Sequence, residues 1–188
     1  MIWFTADLHL GHRNVIRYSK RPFKDVEEMD EALVTNWNDV VRPGDSVYVV
    51  GDFSFHRREQ SKQLFQRLAG QKFLVRGNHD KEDKVNALFG WVKDLYTVKV
   101  PDPDAPGGTQ RIVLCHYALR VWDRAHYGTW SAFGHSHGTL PDDPRLRSTD
   151  VGVDPNGYFP VSYDQLKAKM REKTWTPVDH HGTHDEDA

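Results

Sequence analysis

Five short motifs in the chain carry side chains of the kinds that bind divalent metal ions. Each motif follows a short apolar run, and together they offer carboxylate, amide and imidazole donors, which suit divalent transition metals. In chain order they are Asp7-Leu8-His9, Gly51-Asp52, Gly77-Asn78-His79-Asp80, Cys115-His116 and Gly134-His135-Ser136-His137-Gly138. One such motif alone is usually a group of surface residues. All five in this order predict a two-metal hydrolytic site.

The spacing of the motifs leaves their assembly to the fold. Two pairs are local, with one residue between their members: Asp7 with His9, and His135 with His137. In an extended segment this spacing points both side chains of a pair the same way. The other donors are far apart in the chain. Since ligands of α/β sheets bind beyond the carboxyl ends of the strands, we expect the motifs to converge on one sheet edge.

Short runs rich in β-branched and aromatic residues, bounded by Gly, Pro or polar residues, predict the strands. They cover residues 2–6, 46–50, 73–75, 95–100, 111–115 and 131–133. Residues 101–110 contain three prolines and two glycines, so they predict a long hairpin loop between two strands. Alternation of strands and helices, followed by a hairpin, indicates an α/β protein with one mixed sheet or two sheets.

Apolar residues at three- and four-residue steps predict helices between and after the strands. The predicted helices cover residues 26–40, 64–68, 85–89 and 163–173. The first begins after Asp25, which forms a capping-box pattern with Glu28. The last begins after the N-cap Ser162, with Gln165 at its third position.

Length, charge and cysteine content exclude several classes of protein. The 188 residues suffice for one domain, which we expect at residues 1–175, followed by a disordered tail at 176–188. No apolar stretch reaches the ~18–20 residues of a membrane span. The single cysteine, Cys115, cannot form an internal disulfide, so we expect a cytoplasmic protein. A net charge of −2 argues against a bulk electrostatic grip on nucleic acid.

Two segments near the motifs could contact a substrate. A basic run follows the first motif and forms either a solvated helix face or a phosphate-binding patch, with Arg13 nearest the metal-type donors. Its members are Arg13, Arg17, Lys20, Arg21 and Lys24. Residues 117–130 contain four large aromatic residues, two arginines and a histidine, which could stack on a base or pack a loop over the site.

The ordered pattern Asp-x-His, Gly-Asp, Gly-Asn-His-Asp, His and Gly-His-x-His resembles the calcineurin-like metallophosphoesterase superfamily. The opening Phe4-Thr5-Ala6-Asp7-Leu8-His9-Leu10-Gly11-His12-Arg13-Asn14-Val15-Ile16 is similar to a branch of small bacterial and phage phosphoesterases. Residues 153–162 are similar to the same branch. The resemblance implies a four-layer α/β/β/α sandwich with two mixed sheets, and a metal site at the carboxyl ends of the strands.

The resemblance also implies how the donors divide between two metals. The first metal is expected at Asp7, His9, Asp52 and His137, and the second at Asp52, Asn78, His116 and His135. Asp52 bridges them, because two divalent ions about 3.5–4 Å apart need a shared anion. Two divalent ions carry four positive charges and their ligands include only two carboxylates, so the site keeps a net positive charge that attracts phosphate. The imidazoles favour Mn, with Fe, Co, Ni or Zn as alternatives, over Ca or Mg.

The implied reaction is in-line attack of metal-bound hydroxide on a phosphorus atom. His79 resembles the family's catalytic histidine, which would stabilise the transition state or protonate the leaving oxygen. Asp80 would orient His79, or it would cap the following helix. Asn78 and Arg13 are the predicted contacts to the substrate phosphate.

We expect the substrate to be a phosphodiester of a nucleotide or a short nucleic acid. Asp52 is followed by Phe53-Ser54-Phe55, without the arginine-containing extension of the superfamily's protein phosphatases. The chain is also too short for the capping domains of its DNA-repair nucleases. A phosphomonoesterase or nucleotide pyrophosphatase is the alternative enzyme. A non-catalytic binding module is disfavoured, because every ligand position and His79 are present. The sequence indicates no membrane partner and no obligate protein partner.

Overall fold

Nine short strands and four α-helices make up the fold in the computed structural model, which describes residues 1–82, 86–176 and 178. In chain order they are β1 (Ile2–Thr5), α1 (Arg13–Tyr18), α2 (Val26–Val40), β2 (Ser46–Val50), α3 (Arg58–Arg67), β3 (Gln71–Val75), β4 (Val92–Lys93), β5 (Tyr96–Pro101), β6 (Thr109–Leu114), β7 (Trp130–Phe133), β8 (Ser148–Asp150), β9 (Val161–Ser162) and α4 (Tyr163–Arg171).

The strands form two mixed sheets. The first sheet has the order β4-β3-β2-β1-β9, in which β1 to β4 run parallel and β9 pairs antiparallel with β1. The second has the order β5-β6-β7-β8, with an antiparallel hairpin at β5 and β6 and parallel pairing from β6 to β8. Because neighbouring strands run parallel, their carboxyl ends meet at one edge of each sheet.

Apolar side chains between the two sheets form a continuous core. Phe4 and Val75 of the first sheet meet Ile112 and Ala132 of the second, and α4 adds Leu166. All five are almost fully buried. Burial of a large apolar side chain contributes roughly 1.5–3 kcal/mol, so this core fixes the two sheets face to face. The loops at their carboxyl ends are therefore held on a rigid base.

The outer faces of the sheets are covered in different ways. On the first sheet, Trp37 of α2 is buried, and its indole N–H donates to the carbonyl of Ala69 at 3.0 Å. On the second, Val113 packs against Trp122 and Ala125 from the segment before β7. The predicted sandwich with two mixed sheets is confirmed. Its fourth layer is a loop with a 3-10 turn at Ala125–Tyr127 rather than a long helix.

The helix starts predicted from capping residues are confirmed. The Asp25 carboxylate accepts the Glu28 N–H at 2.8 Å at the start of α2. At the start of α4, Ser162 Oγ accepts the Gln165 N–H at 3.2 Å, and Gln165 Oε1 accepts the Ser162 N–H at 2.8 Å. The body of α4 ends at Arg171, two residues before the predicted end.

Other predictions differ in detail from the structure. The hairpin is confirmed, with β5 and β6 paired as far as Pro101 and Thr109. Strands β4, β8 and β9 were not predicted, because two or three residues are too short to display a period. The third predicted helix, residues 85–89, is wrong over residues 86–89, which form turns, and residue 85 lies outside the described residues. The predicted disordered tail also lies outside them, apart from residues 176 and 178. No helix in the described ranges is long and apolar enough to cross a membrane.

Candidate metal centre

The predicted donors lie in the loops that leave the carboxyl ends of the strands. Asp7 and His9 follow β1, Asp52 follows β2, Asn78 follows β3, His116 follows β6, and His135 and His137 follow β7. The Asp7 N–H donates to the Gly51 carbonyl at 3.0 Å, which joins the loops after β1 and β2. The His135 N–H donates to both Asp7 carboxylate oxygens, at 2.9 and 3.1 Å. The two sheets therefore bring their donors to one place.

The backbone at these donors is locally unfavourable. Left-handed φ values occur at Asp7 (57°), His9 (51°), Asp52 (56°), His135 (67°) and His137 (47°). Such a conformation costs a residue with a side chain roughly 1–2 kcal/mol and persists where the surroundings enforce it, often at functional sites. The spacing suggested that the two local pairs lie in extended segments, and the φ values show that they do not. Turns in the backbone bring their side chains together.

Two glycines allow the loops to approach each other closely. A Cβ at Gly51, where φ is +95°, would lie 2.1 Å from Nδ1 of His116. A Cβ at Gly77 would lie 2.3 Å from Oδ1 of Asp52. The Gly-Asp and Gly-Asn-His-Asp motifs thus need glycine because the donors pack directly against the backbone.

The donor atoms form two overlapping groups. One oxygen or nitrogen each from Asp7, His9 and His137 lie within 4.8 Å of one another, and so do those of Asp7, Asp52 and His116. Asp52 Oδ2 is 3.5 Å from Nε2 of His9 and 3.5 Å from Nε2 of His116. A single carboxylate oxygen therefore lies between an imidazole of the first sheet and one of the second.

The remaining two predicted ligands lie at the outer side of this cluster. Asn78 Oδ1 is 3.0 Å from Nε2 of His116 and 3.0 Å from Nδ1 of His135. Both Asn78 and His135 are exposed, whereas Asp7, His9, Asp52 and His116 are buried. The cluster thus has a buried floor and an open side that a substrate can reach.

The buried floor has the properties expected of a cation site. His9 is 3% exposed, and neither ring nitrogen has a hydrogen-bond partner among the described residues. Burial lowers the pKa of His9 to about 3, so the ring is neutral with a free lone pair. Burial raises the pKa of Asp7 to about 7, because it removes the water that stabilises an ionised carboxylate. Divalent cations would satisfy both groups, so these residues fit a metal centre.

His79 lies beside the donor cluster rather than within it. Its backbone N–H donates to Asp52 Oδ1 at 2.9 Å, while its side chain is exposed. The ring centroid is 5.8 Å from that of His9 and 4.8 Å from that of Phe55. The imidazole is thus held close to the metal-type donors and remains open to solvent. Its catalytic role stays a prediction.

Asp80 joins two of the donor loops. It is 6% exposed, and its carboxylate accepts the N–H groups of Asp52 (2.8 Å), Phe53 (3.0 Å) and Gly77 (2.9 Å). These contacts connect the loops after β2 and β3. Its predicted effect on His79 stays a prediction, and the alternative helix cap involves residues 83–85, which lie outside the described ranges.

The basic run after the first motif divides into two kinds of residue. Arg13 is exposed at the start of α1, and within the described ranges its guanidinium has no hydrogen bond or ion pair. Arg21 is only 4% exposed and bonds to Asp154 and to backbone carbonyls, so the solvated helix face is wrong for this residue. The sequence analysis placed Arg21 in the basic run but did not predict its burial, and it gave Asp154 no role. Asp154 lies in the segment 153–162, whose resemblance to the phosphoesterase branch was the one signal for it.

The aromatic segment before β7 also divides. Trp122 and Trp130 are buried, and the indole N–H of Trp122 donates to the Thr129 carbonyl at 2.8 Å, so these rings serve packing. Tyr117 is 49% exposed, and its ring centroid is 4.6 Å from that of His135. Tyr117 therefore lies at the rim of the donor cluster, where it could reach a bound molecule.

Comparisons with known proteins identify the family of this chain. The chain matches the family model described as calcineurin-like phosphoesterase over residues 1–185. It is 32% identical over 179 residues to an uncharacterized protein of Methanocaldococcus jannaschii, covering 92% of each chain. It is 27% identical over 190 residues to the gene 66 protein of Mycobacterium phage L5, covering 87% of this chain and 91% of that protein.

A solved structure gives the same result for the fold. A protein of unknown function from Aquifex aeolicus superimposes with a TM-score of 0.70 at 25% identity, covering 89% of this chain and 98% of that one. The predicted resemblance, including its phage branch, is confirmed. The chain belongs to the calcineurin-like phosphoesterase family, whose members are dimetal-dependent phosphoesterases.

Proposed function

We propose that this protein is a phosphodiesterase that binds two Mn ions and hydrolyses nucleotide diesters or short nucleic acids. The observation that carries the proposal is the position of Asp52 Oδ2, 3.5 Å from Nε2 of both His9 and His116. An oxygen between imidazoles of two different sheets is where a bridging ligand of two metals belongs. Family membership supports the metal-dependent phosphoesterase chemistry.

The donors on the two sides of Asp52 would hold different metals, with Asp52 shared between them. We assign Asp7, His9, Asp52 and His137 to the first metal, and Asp52, Asn78, His116 and His135 to the second. His116 donates from Nδ1 to the Val50 carbonyl at 2.9 Å, which leaves Nε2 free for a metal. Four imidazoles among the donors favour Mn, with Fe, Co, Ni or Zn as alternatives.

The chain's own residues bind the substrate and move a proton. Two bound divalent ions supply an activated water and neutralise charge on the phosphoryl oxygens. His79, exposed beside the donors, protonates the leaving oxygen. Asn78 directs its amide oxygen toward the imidazoles, so its N–H₂ group is left to donate to a phosphoryl oxygen. Asp80 keeps both loops in place.

The walls of the open side support a diester over a monoester. Beside His79, the rings of His12 and Phe55 stack with centroids 3.9 Å apart at 11°, so this wall is aromatic rather than cationic. It suits an organic ester group better than the extra negative charge of a monoester. Tyr117, near His135, offers a second face on which a base could stack. Arg13 is available for a neighbouring phosphate of a nucleic-acid strand.

The exposed guanidinium of Arg13 also favours a second candidate function, that of a phosphomonoesterase or nucleotide pyrophosphatase. In that enzyme Arg13 binds a terminal phosphate of the substrate. A non-catalytic binding module is a weaker reading, because all seven donor positions and His79 are retained. We place the protein in the cytoplasm, since its lone cysteine, Cys115, is partly buried and has no possible partner within the chain.

The discriminating experiment compares two chromogenic substrates. Protein stripped with a chelator and reloaded with Mn is assayed on bis-p-nitrophenyl phosphate and on p-nitrophenyl phosphate, with the stripped protein as control. We expect faster turnover of the diester, and none without metal. Faster turnover of the monoester would favour the second candidate. Absence of turnover of both, with two Mn ions bound per chain, would contradict an enzymatic function.

A further inference from the structure

Arg21 is a buried cation that hydrogen-bonds to the backbone beside two of the candidate metal ligands and to Asp154, and it also contacts Met29 Sδ at 3.4 Å. Its side chain is 0% exposed. Nε and Nη2 form a bidentate pair with the two oxygens of Asp154, both at 2.8 Å. Nη2 also donates to the Asp7 carbonyl at 2.7 Å, and Nη1 donates to the Leu8 carbonyl at 3.0 Å. The guanidinium therefore joins the loop after β1 to a residue 133 positions away.

The other end of this chain of contacts reaches His137. Asp154 Oδ2, which accepts from Arg21, is also 2.7 Å from His137 Nδ1. A carboxylate paired with a guanidinium is ionised and can only accept, so Nδ1 of His137 carries a proton, and Nε2 is the nitrogen left to bind a metal. Ser19 Oγ, 3.3 Å from the same Nδ1, is compatible with this tautomer.

The pair thus controls both halves of the first metal site at once. One edge of the planar guanidinium donates to the carbonyls of Asp7 and Leu8, in the loop where Asp7 and His9 have left-handed φ values. The adjacent edge pairs with Asp154, which sets the ring orientation of His137. These two loops follow β1 and β7 and belong to different sheets.

Stability alone is a poor reason for such a pair. Burying a charged pair removes it from water, and apolar replacements of buried ion pairs are often neutral or stabilising. A planar, multiply bonded guanidinium instead fixes geometry, which lysine cannot reproduce with a single ammonium group. We propose that Arg21 and Asp154 are positioning residues that preorganise Asp7, His9 and His137 to bind one of the two metals. This inference rests on the proposed assignment of His137 as a metal ligand.

The first test measures metal affinity rather than activity. Mn is titrated into the metal-free proteins by calorimetry, with free Mn counted by electron paramagnetic resonance. In Asp154→Asn and in Arg21→Lys, we expect one of the two affinities to fall by about 10- to 100-fold, the effect typical of losing a partner behind a metal-bound histidine. The other affinity stays at the wild-type value, because Asn78 and His135 do not contact the pair.

Matched controls exist on the surface. Arg67 forms a bidentate pair with Glu31, and Asp143 forms one with Arg145, and both pairs are far more accessible to solvent than Arg21 and Asp154. Arg67→Lys and Asp143→Asn make the same chemical changes away from the site. Both variants should keep the two wild-type affinities. Unchanged affinities in folded Asp154→Asn and Arg21→Lys as well would overturn the proposal.

A second measurement needs no variant of the pair to fold. Nitrogen NMR of metal-free wild-type protein with labelled histidine should find His137 protonated at Nδ1, with the signal assigned by its absence from His137→Gln. A His137 protonated at Nε2 alone would overturn the positioning role.

The outcomes also separate this role from the proposed function. Diester hydrolysis together with unchanged Mn affinities in Asp154→Asn would refute the role of the pair alone. Two bound Mn ions without hydrolysis, with one site weakened in that variant, would refute the proposed function alone. A wild type that binds no Mn would refute both.

Discussion

Replacing Asp80 by asparagine should loosen the two loops that its carboxylate joins. Oδ2 accepts the N–H groups of Asp52 and Gly77 at 2.8 and 2.9 Å, and Oδ1 accepts that of Phe53 at 3.0 Å. An amide has a single acceptor oxygen, and its N–H₂ group is itself a donor. At least one of the three buried N–H groups therefore loses its partner.

The expected loss follows from these three bonds. One buried N–H without an acceptor costs about 1–3 kcal/mol, and the other two bonds each lose about 1 kcal/mol of charge assistance. Burial, which raises the pKa of Asp80, works in the opposite direction, because a neutral amide is easier to bury than a carboxylate. We expect Asp80→Asn to lower the free energy of unfolding by about 2 kcal/mol. For a chain of this size, Tm would fall by roughly 4–8 °C.

The assay is thermal unfolding of metal-free protein followed by circular dichroism. Asp39, an exposed residue of α2, provides the matched control, and Asp39→Asn should change stability by less than about 0.5 kcal/mol. An Asp80→Asn protein that unfolds at the same temperature as this control would refute the loop-joining role. A normal Tm combined with a large fall in kcat would instead indicate that Asp80 acts through His79.

Three further outcomes follow from the site. His79→Ala should lose most turnover while two metals stay bound, whereas Asp52→Ala should lose metal because the bridge is gone; equal metal loss by elemental analysis would contradict this division. Gly51→Ala should unfold at lower temperature and bind less metal, because its Cβ would lie 2.1 Å from the imidazole that follows β6; wild-type Tm and metal content would contradict the close packing. In metal-free protein, burial raises the pKa of Asp7 to about 7 and lowers that of His9 to about 3, so the two groups oppose each other. In Asp7→Asn only the His9 shift remains, so stability should fall as the pH drops from about 6.5 to 3, where His9 is protonated only in the unfolded chain. In His9→Gln only the Asp7 shift remains, so stability should fall as the pH rises from about 4 to 7. If the denaturant midpoints of the two variants changed with pH in the same way, both shifts would be refuted.

Local patterns in the sequence predicted most of the elements because their causes are local. The apolar stripe of α2, the Ser162–Gln165 capping box and the proline-rich hairpin loop all depend on residues within a few positions of one another. Local patterns did not predict strands β4, β8 and β9, because two or three residues form a strand only when a neighbouring strand is present to pair with. Their existence depends on the assembled sheet.

The sequence by itself determined which donor types the chain carries, their order, and the family to which they point. Only the tertiary structure decided that they meet, because parallel pairing of β1, β2 and β3 and of β6 and β7 delivers loops distant in sequence to one edge. It also decided which charges are buried. Arg21 looks like its exposed neighbours in sequence, and its role depends on Asp154, 133 positions away. Burial and long-range pairing are properties of the folded chain, which no local pattern encodes.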